Sequence, residues 1–98
     1  MSRPFSNVAL FGKPRAENIR EPLLAIVRIV ESAGGKVLLD STTHEHVQLD
    51  QYPGHSVHAI GKQADVAIVL GGDGTMLGIA LELAPHQVPL IGINHGRL

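Results

Sequence analysis

The chain contains no cysteine, which excludes disulfides and thiolate metal sites and is compatible with a reducing interior. Aromatics are almost missing: one Tyr, two Phe and no Trp leave an aliphatic core without stacking platforms for single-stranded nucleic acid. Neither sign of charge dominates, since eight Lys and Arg stand against nine Asp and Glu, a formal charge of -1. No global field therefore recruits nucleic acid or an anionic membrane, and any phosphate binding has to be local. No apolar run approaches the roughly 20 residues that span a bilayer, and Met1 to Asn7 lack a signal-peptide core, so a cytoplasmic protein is expected. With 98 residues there is room for one domain at most.

Short continuous aliphatic runs separated by helical patterns fill this length. Asn7 to Phe11 reads as a buried strand closed by the turn Gly12-Lys13-Pro14-Arg15. From Ile19 onward Leu23, Ile26, Val27 and Val30 recur at helical spacing, with Asn18 and Glu21 spaced as a capping pair and Gly34-Gly35 as a left-handed stop. Lys36 to Leu39 is a second strand. The stretch from Ser41 to Gly61, broken by Pro53-Gly54, reads as a short helix or an irregular crossover. Val66 to Leu70 is the third strand, Met76 to Ala84 a helix apolar almost all round, and Val88 to Ile93 the fourth strand. Met76 and Leu77 are expected in the core, and only Glu82 is charged, so more than one sheet face should cover this helix. Aliphatic strands alternating with helices predict an α/β fold, a parallel doubly wound sheet covered on both sides.

Right-handed crossovers put every strand-to-helix loop on one edge of such a sheet, where ligands bind. Three loops should meet there: Gly12 to Arg15, Gly71 to Thr75, and Asn94 to Arg97. The middle one, Gly71-Gly72-Asp73-Gly74-Thr75, is the most informative. It is no P-loop, because Gly74 is followed by Thr75-Met76 instead of Lys-Ser or Lys-Thr. It is no dinucleotide fingerprint either, since Gly78 comes one residue too late. Three glycines exceed what a tight turn requires, and an Asp among them would repel a bare pyrophosphate unless it takes a proton or a metal ion.

That combination points to phosphoryl transfer, in which positioning and charge neutralisation do most of the work. Gly71, Gly72 and Gly74 would lie under a polyphosphate, and Thr75 would open a helix whose amides favour anions. Asp73 would act as general base or hold Mg²⁺. The bland readings are simpler. Lys13 and Arg15 are as readily solvated surface charges, and Gly78 reads as a close helix-to-strand contact. Among six histidines, His44 and His46 flank Glu45, while His55 and His58 stand three apart. Zinc needs three or four ligands on a fixed frame, so no metal site is assigned to them.

Taken together, Gly71 to Leu77, the preceding Ala64-Asp65-Val66-Ala67-Ile68-Val69 and the following Pro89-Leu90-Ile91-Gly92-Ile93-Asn94-His95-Gly96-Arg97-Leu98 resemble the amino-terminal domain of bacterial NAD kinases. Diacylglycerol and sphingosine kinases share the glycine-aspartate motif, and phosphofructokinases have a close relative. The resemblance covers residues 1–98 and implies a Rossmann-like, phosphofructokinase-like fold with about four strands here, continuing elsewhere into a β-rich carboxyl-terminal domain. It also implies transfer of the terminal phosphate of ATP, or of polyphosphate, to the 2′-hydroxyl of the adenosine ribose of NAD, with Mg²⁺ or another divalent cation. Asp73 matches the family's proton acceptor, and Gly71, Gly72, Asp73, Gly74, Thr75 and Asn94 are the expected nucleotide contacts. His95 falls at an unspecified position of the Gly-Ile-Asn-x-Gly pattern. A homo-oligomeric full-length enzyme is implied, with no nucleic acid or membrane partner. The isolated chain is expected to be inactive and to expose an apolar face. A lipid or sugar kinase and a non-catalytic nucleotide-binding module are the alternatives.

Overall fold

The computed structural model describes residues 6–12, 19–47 and 51–94. Its single sheet holds β1 (Asn7–Gly12), β2 (Lys36–Asp40), β3 (Gly54–His55), β4 (Val66–Gly71) and β5 (Leu90–Asn94), all parallel, in the order β3-β2-β1-β4-β5. The helices are α1 (Arg20–Ser32), α2 (Ser41–Val47), α3 (Val57–Gln63) and α4 (Asp73–Leu83). The chain builds outward from β1 to β3, then crosses to β4 and β5 on the other side. Right-handed crossovers in these two directions lead to opposite faces of the sheet.

Two hydrophobic clusters result, and β1 feeds both. Val8 and Leu10 join Leu23, Val27 and Val30 of α1, whereas Ala9 and Phe11 join Ile60 of α3 and Leu83 of α4. This is why β1, β2 and β4 read as unbroken aliphatic runs: alternate side chains point to opposite faces, and both faces of these strands are covered. Each fully buried Leu or Phe contributes about 1.5–3 kcal/mol relative to exposure.

Helix α1 ends in a Schellman arrangement. The Gly35 amide donates to the Val30 carbonyl and the Gly34 amide to the Glu31 carbonyl, both at 2.9 Å, with Gly34 at φ 86°. Pro22 sits in the first turn, where its missing amide costs no helical bond. Of the expected capping pair, Asn18 lies outside the described residues.

Three expectations need correction. The sheet has five strands instead of four, because Pro53-Gly54 leads into a two-residue strand too short to carry any hydrophobic period. Gly54 is required there, since a Cβ would approach the Ser41 Cα to 2.8 Å. The segment from Ser41 to Gly61 is thus α2, β3 and the start of α3, which Ser56 caps by accepting the Ala59 amide at 3.1 Å.

Second, Leu77 is not core. It is 63% exposed and Leu81 is 67% exposed, because the sheet side of α4 is taken by Met76, Ile79 and Leu83. Nothing among the described residues covers the outer side. Third, Gly78 makes no close helix-to-strand contact. It is exposed, and a Cβ there would meet no atom within 4 Å. The α1 side of β5 is also open, with Ile91 and Ile93 exposed beside an apolar groove of about 210 Å³ that includes Ile29, Ile68 and Ile91. Among the described residues no helix is long and apolar enough to cross a membrane.

Candidate functional site

The carboxyl ends of β1 and β4 lie side by side, with Gly12 of β1 in register with Leu70 of β4. On the other side of β4, Gly71 is in register with Asn94 of β5. Two expected contact residues, 23 positions apart in sequence, are therefore one strand spacing apart, about 4.8 Å.

After Gly71 the backbone stays extended at Gly72 (φ -94°, ψ -177°), and α4 begins at Asp73. The first helical bond runs from the Met76 amide to the Gly72 carbonyl at 3.1 Å. Helix geometry gives the amides of Asp73, Gly74 and Thr75 no acceptor within the helix, so they form a small anion-favouring surface at the sheet edge. Asp73 and Gly74 are exposed and Thr75 is half-buried.

The glycines divide by what a side chain would meet. At Gly12, Gly54, Gly61 and Gly92 a Cβ would press on neighbouring atoms, so packing alone explains them. At Gly72 and Gly74 it would meet nothing within 4 Å. Among the described glycines only Gly34 has positive φ, so backbone conformation does not require glycine at 72 or 74 either. Nothing among the described residues calls for bare backbone at these two positions. A ligand resting on the loop would call for it.

Beside the loop lies a cleft of about 190 Å³ with Phe11, Val57 and Ile79 as apolar lining and Gly12, Asp40, Thr42, Thr75 and Glu82 as polar lining. Asp40 is 8% exposed, and its Oδ2 accepts both the amide of Thr43, at 3.0 Å, and its hydroxyl, at 2.9 Å. Sequence reasoning passed over Asp40, Thr42, Thr43 and Glu82. A signal for the first three was present: Asp-Ser-Thr-Thr at a strand end has the spacing of a helix cap. Among the described residues no three His, Cys, Asp or Glu side chains come together as a metal site. Lys13, Arg15, His95 and Arg97 lie outside the described residues.

A loop of bare glycines around a carboxylate, at the edge of a parallel sheet and at a helix N-terminus, suits a phosphate-bearing ligand. Comparison with known proteins agrees in kind: the family model of the ATP-NAD kinase N-terminal domain matches residues 8–98. The chain belongs to the NAD kinase family.

The chain is 50% identical over 98 residues to the NAD kinase of Nitrosospira multiformis, covering all of this chain and 33% of that relative. It is 51% identical over 94 residues to the NAD kinase of Nitrosomonas eutropha, covering 96% and 32% respectively. Among solved structures it is similar to yeast NADH kinase complexed with NADH, with a TM-score of 0.77 over 99% of this chain and 31% of that one. At 23% identity the last likeness shows the fold alone. The chain spans about a third of the length of the NAD kinase relatives it matches.

Proposed function

We propose that the full-length protein containing this chain is a NAD kinase, with residues 1–98 as its amino-terminal α/β domain. The observation that carries this reading is the open space over Gly72 and Gly74 on either side of exposed Asp73. In the reaction, the 2′-hydroxyl oxygen of the adenosine ribose bonds to the terminal phosphorus of ATP or polyphosphate. The bond from that phosphorus to the bridging oxygen breaks, and this oxygen leaves with the electron pair on the shortened donor. The hydroxyl proton passes to the Asp73 carboxylate as general base. Gly71 lies under the phosphates, the amides of Gly72, Gly74 and Thr75 hold them, and Asn94, next to Gly71, contacts the dinucleotide.

The donor set fits Mg²⁺ or a similar divalent cation held mostly by phosphate oxygens, the common way Mg²⁺ binds, with Asp73 the carboxylate nearest the loop. When bound, the cation neutralises charge on the phosphates. Asp40 and Glu82 make such neutralisation necessary, because they line the neighbouring cleft. A cytoplasmic, homo-oligomeric enzyme without nucleic-acid or membrane partners belongs to the same reading.

The test is formation of NADP by the full-length protein from NAD, ATP and Mg²⁺. Asp73→Asn should lower turnover by about 10²–10⁴-fold, the usual worth of a general base, with NAD affinity little changed. The 98-residue chain alone should show no turnover. Inertness towards NAD combined with phosphorylation of a lipid or sugar would overturn the reading.

A further inference from the structure

We propose that Thr43 is a positioning residue of the phosphoryl-transfer site, holding the cleft wall formed by Gly12 and Asp40 in place opposite Thr75. The proposal rests on the NAD kinase reading. Thr43 is 1% exposed and stands 31 residues from Gly12 in sequence, yet its hydroxyl is bonded on both sides. Its Oγ1 accepts the Gly12 amide at 2.9 Å. The single hydroxyl proton has two acceptors within reach, Asp40 Oδ2 at 2.9 Å and the Gly12 carbonyl at 3.3 Å. The carboxylate oxygen is nearer, so it accepts the hydroxyl's hydrogen bond.

Strand pairing explains why a side chain is needed here. Against β4, β1 stays in register as far as Gly12, but its register with β2 ends at Leu10 and Leu39, after which the chain turns into α2. Beyond the end of that register the Gly12 amide donates to the Thr43 hydroxyl oxygen. A helix cap accounts for the bond from the Thr43 amide to Asp40. It does not account for a hydroxyl that reaches a different strand at the cleft. The bridge ties the ends of β1 and β2 and the start of α2 into one unit, and two of its three members line the cleft with Thr75. Gly12 leaves no slack on its other sides, since a Cβ there would stand 3.0 Å from Ile19 Cδ1 and 3.2 Å from Leu23 Cδ1. Losing the hydroxyl leaves a buried amide and a buried carboxylate short of a partner, and the wall moves to find others.

The experiment compares Thr43→Val, which keeps the shape and removes the hydroxyl, with Thr43→Ser, which keeps the hydroxyl, in the full-length enzyme. Measured well below the melting temperature, kcat/KM for NADP formation should fall about tenfold or more in Thr43→Val, within the range that small misplacements cost, and recover to within about twofold in Thr43→Ser. A folded Thr43→Val enzyme with unchanged kcat/KM overturns the proposal, because a purely structural bridge would lower only the melting temperature. Equal impairment of both variants also overturns it, since the methyl packing and not the hydroxyl would then matter. If Thr43→Val does not fold, Asp40→Asn, which keeps an acceptor but removes its charge, should lower kcat/KM by about threefold; no change overturns the proposal. If the wild-type protein forms no NADP, the kinase reading fails separately. ATP affinity by calorimetry then decides the bridge, with weaker binding in Thr43→Val supporting it and equal binding overturning it.

Discussion

Replacing Gly74 by Ala should make the folded chain more stable and the full-length enzyme worse. In the structure Gly74 is the second residue of α4, in helical conformation, with no atom within 4 Å of a Cβ built there. Ala in place of helical Gly stabilises by about 0.5–1 kcal/mol, less near a helix end, because Gly gives up more backbone freedom on folding. Gly78, in the helix interior and equally open, should show the larger gain. Both changes together amount to about 1–1.5 kcal/mol, which for a domain of this size raises the melting temperature by about 4–12 °C. Thermal and urea unfolding of the 98-residue chain measure this directly. In the full-length protein the same methyl at residue 74 stands where a phosphate should rest on bare backbone, and kcat/KM should drop about tenfold or more. Opposite signs in the two assays are the expected outcome. A destabilised Gly74→Ala chain would refute the packing argument, and unaltered kinetics would refute close approach of a ligand.

Gly61→Ala should behave in the contrary way, since its methyl would overlap the His86 ring and disturb the edge-on contact of that ring with His58, centroids 5.6 Å apart. Relief requires the ring to move, and a loss of about 1–3 kcal/mol in urea unfolding is expected; an unchanged midpoint would show that His86 relocates freely. The isolated chain should bind a hydrophobic dye or self-associate through the side chains left open around β5 and α4, among them Ile29, Leu77, Leu81, Ile91 and Ile93. Leu81→Gln with Ile91→Thr should diminish both signals, and a clean monomer that binds no dye would contradict the expectation.

Much of the site could be read from residue order, because local chemistry dictates it. Val66 to Leu70 had to be a strand buried on two faces, Gly71 to Thr75 had to leave it at the ligand edge, and Gly34 had to stop α1. Less could be read from α4. A segment apolar on every side gives periodicity no preferred face, so only packing revealed that Met76 goes in and Leu77 stays out.

The linear chain by itself determined the parallel α/β class, the four longer strands to within two residues at each end and the position of Asp73 among its glycines, since these follow from short-range pattern and backbone sterics. Tertiary structure alone decided the strand order, with β1 at the centre between β2 and β4, and the placing of Gly71 beside Asn94. It alone separated glycines that packing needs from those left bare, and brought the Thr43 hydroxyl to Gly12. Those outcomes depend on contacts between residues far apart in sequence, which no local periodicity records.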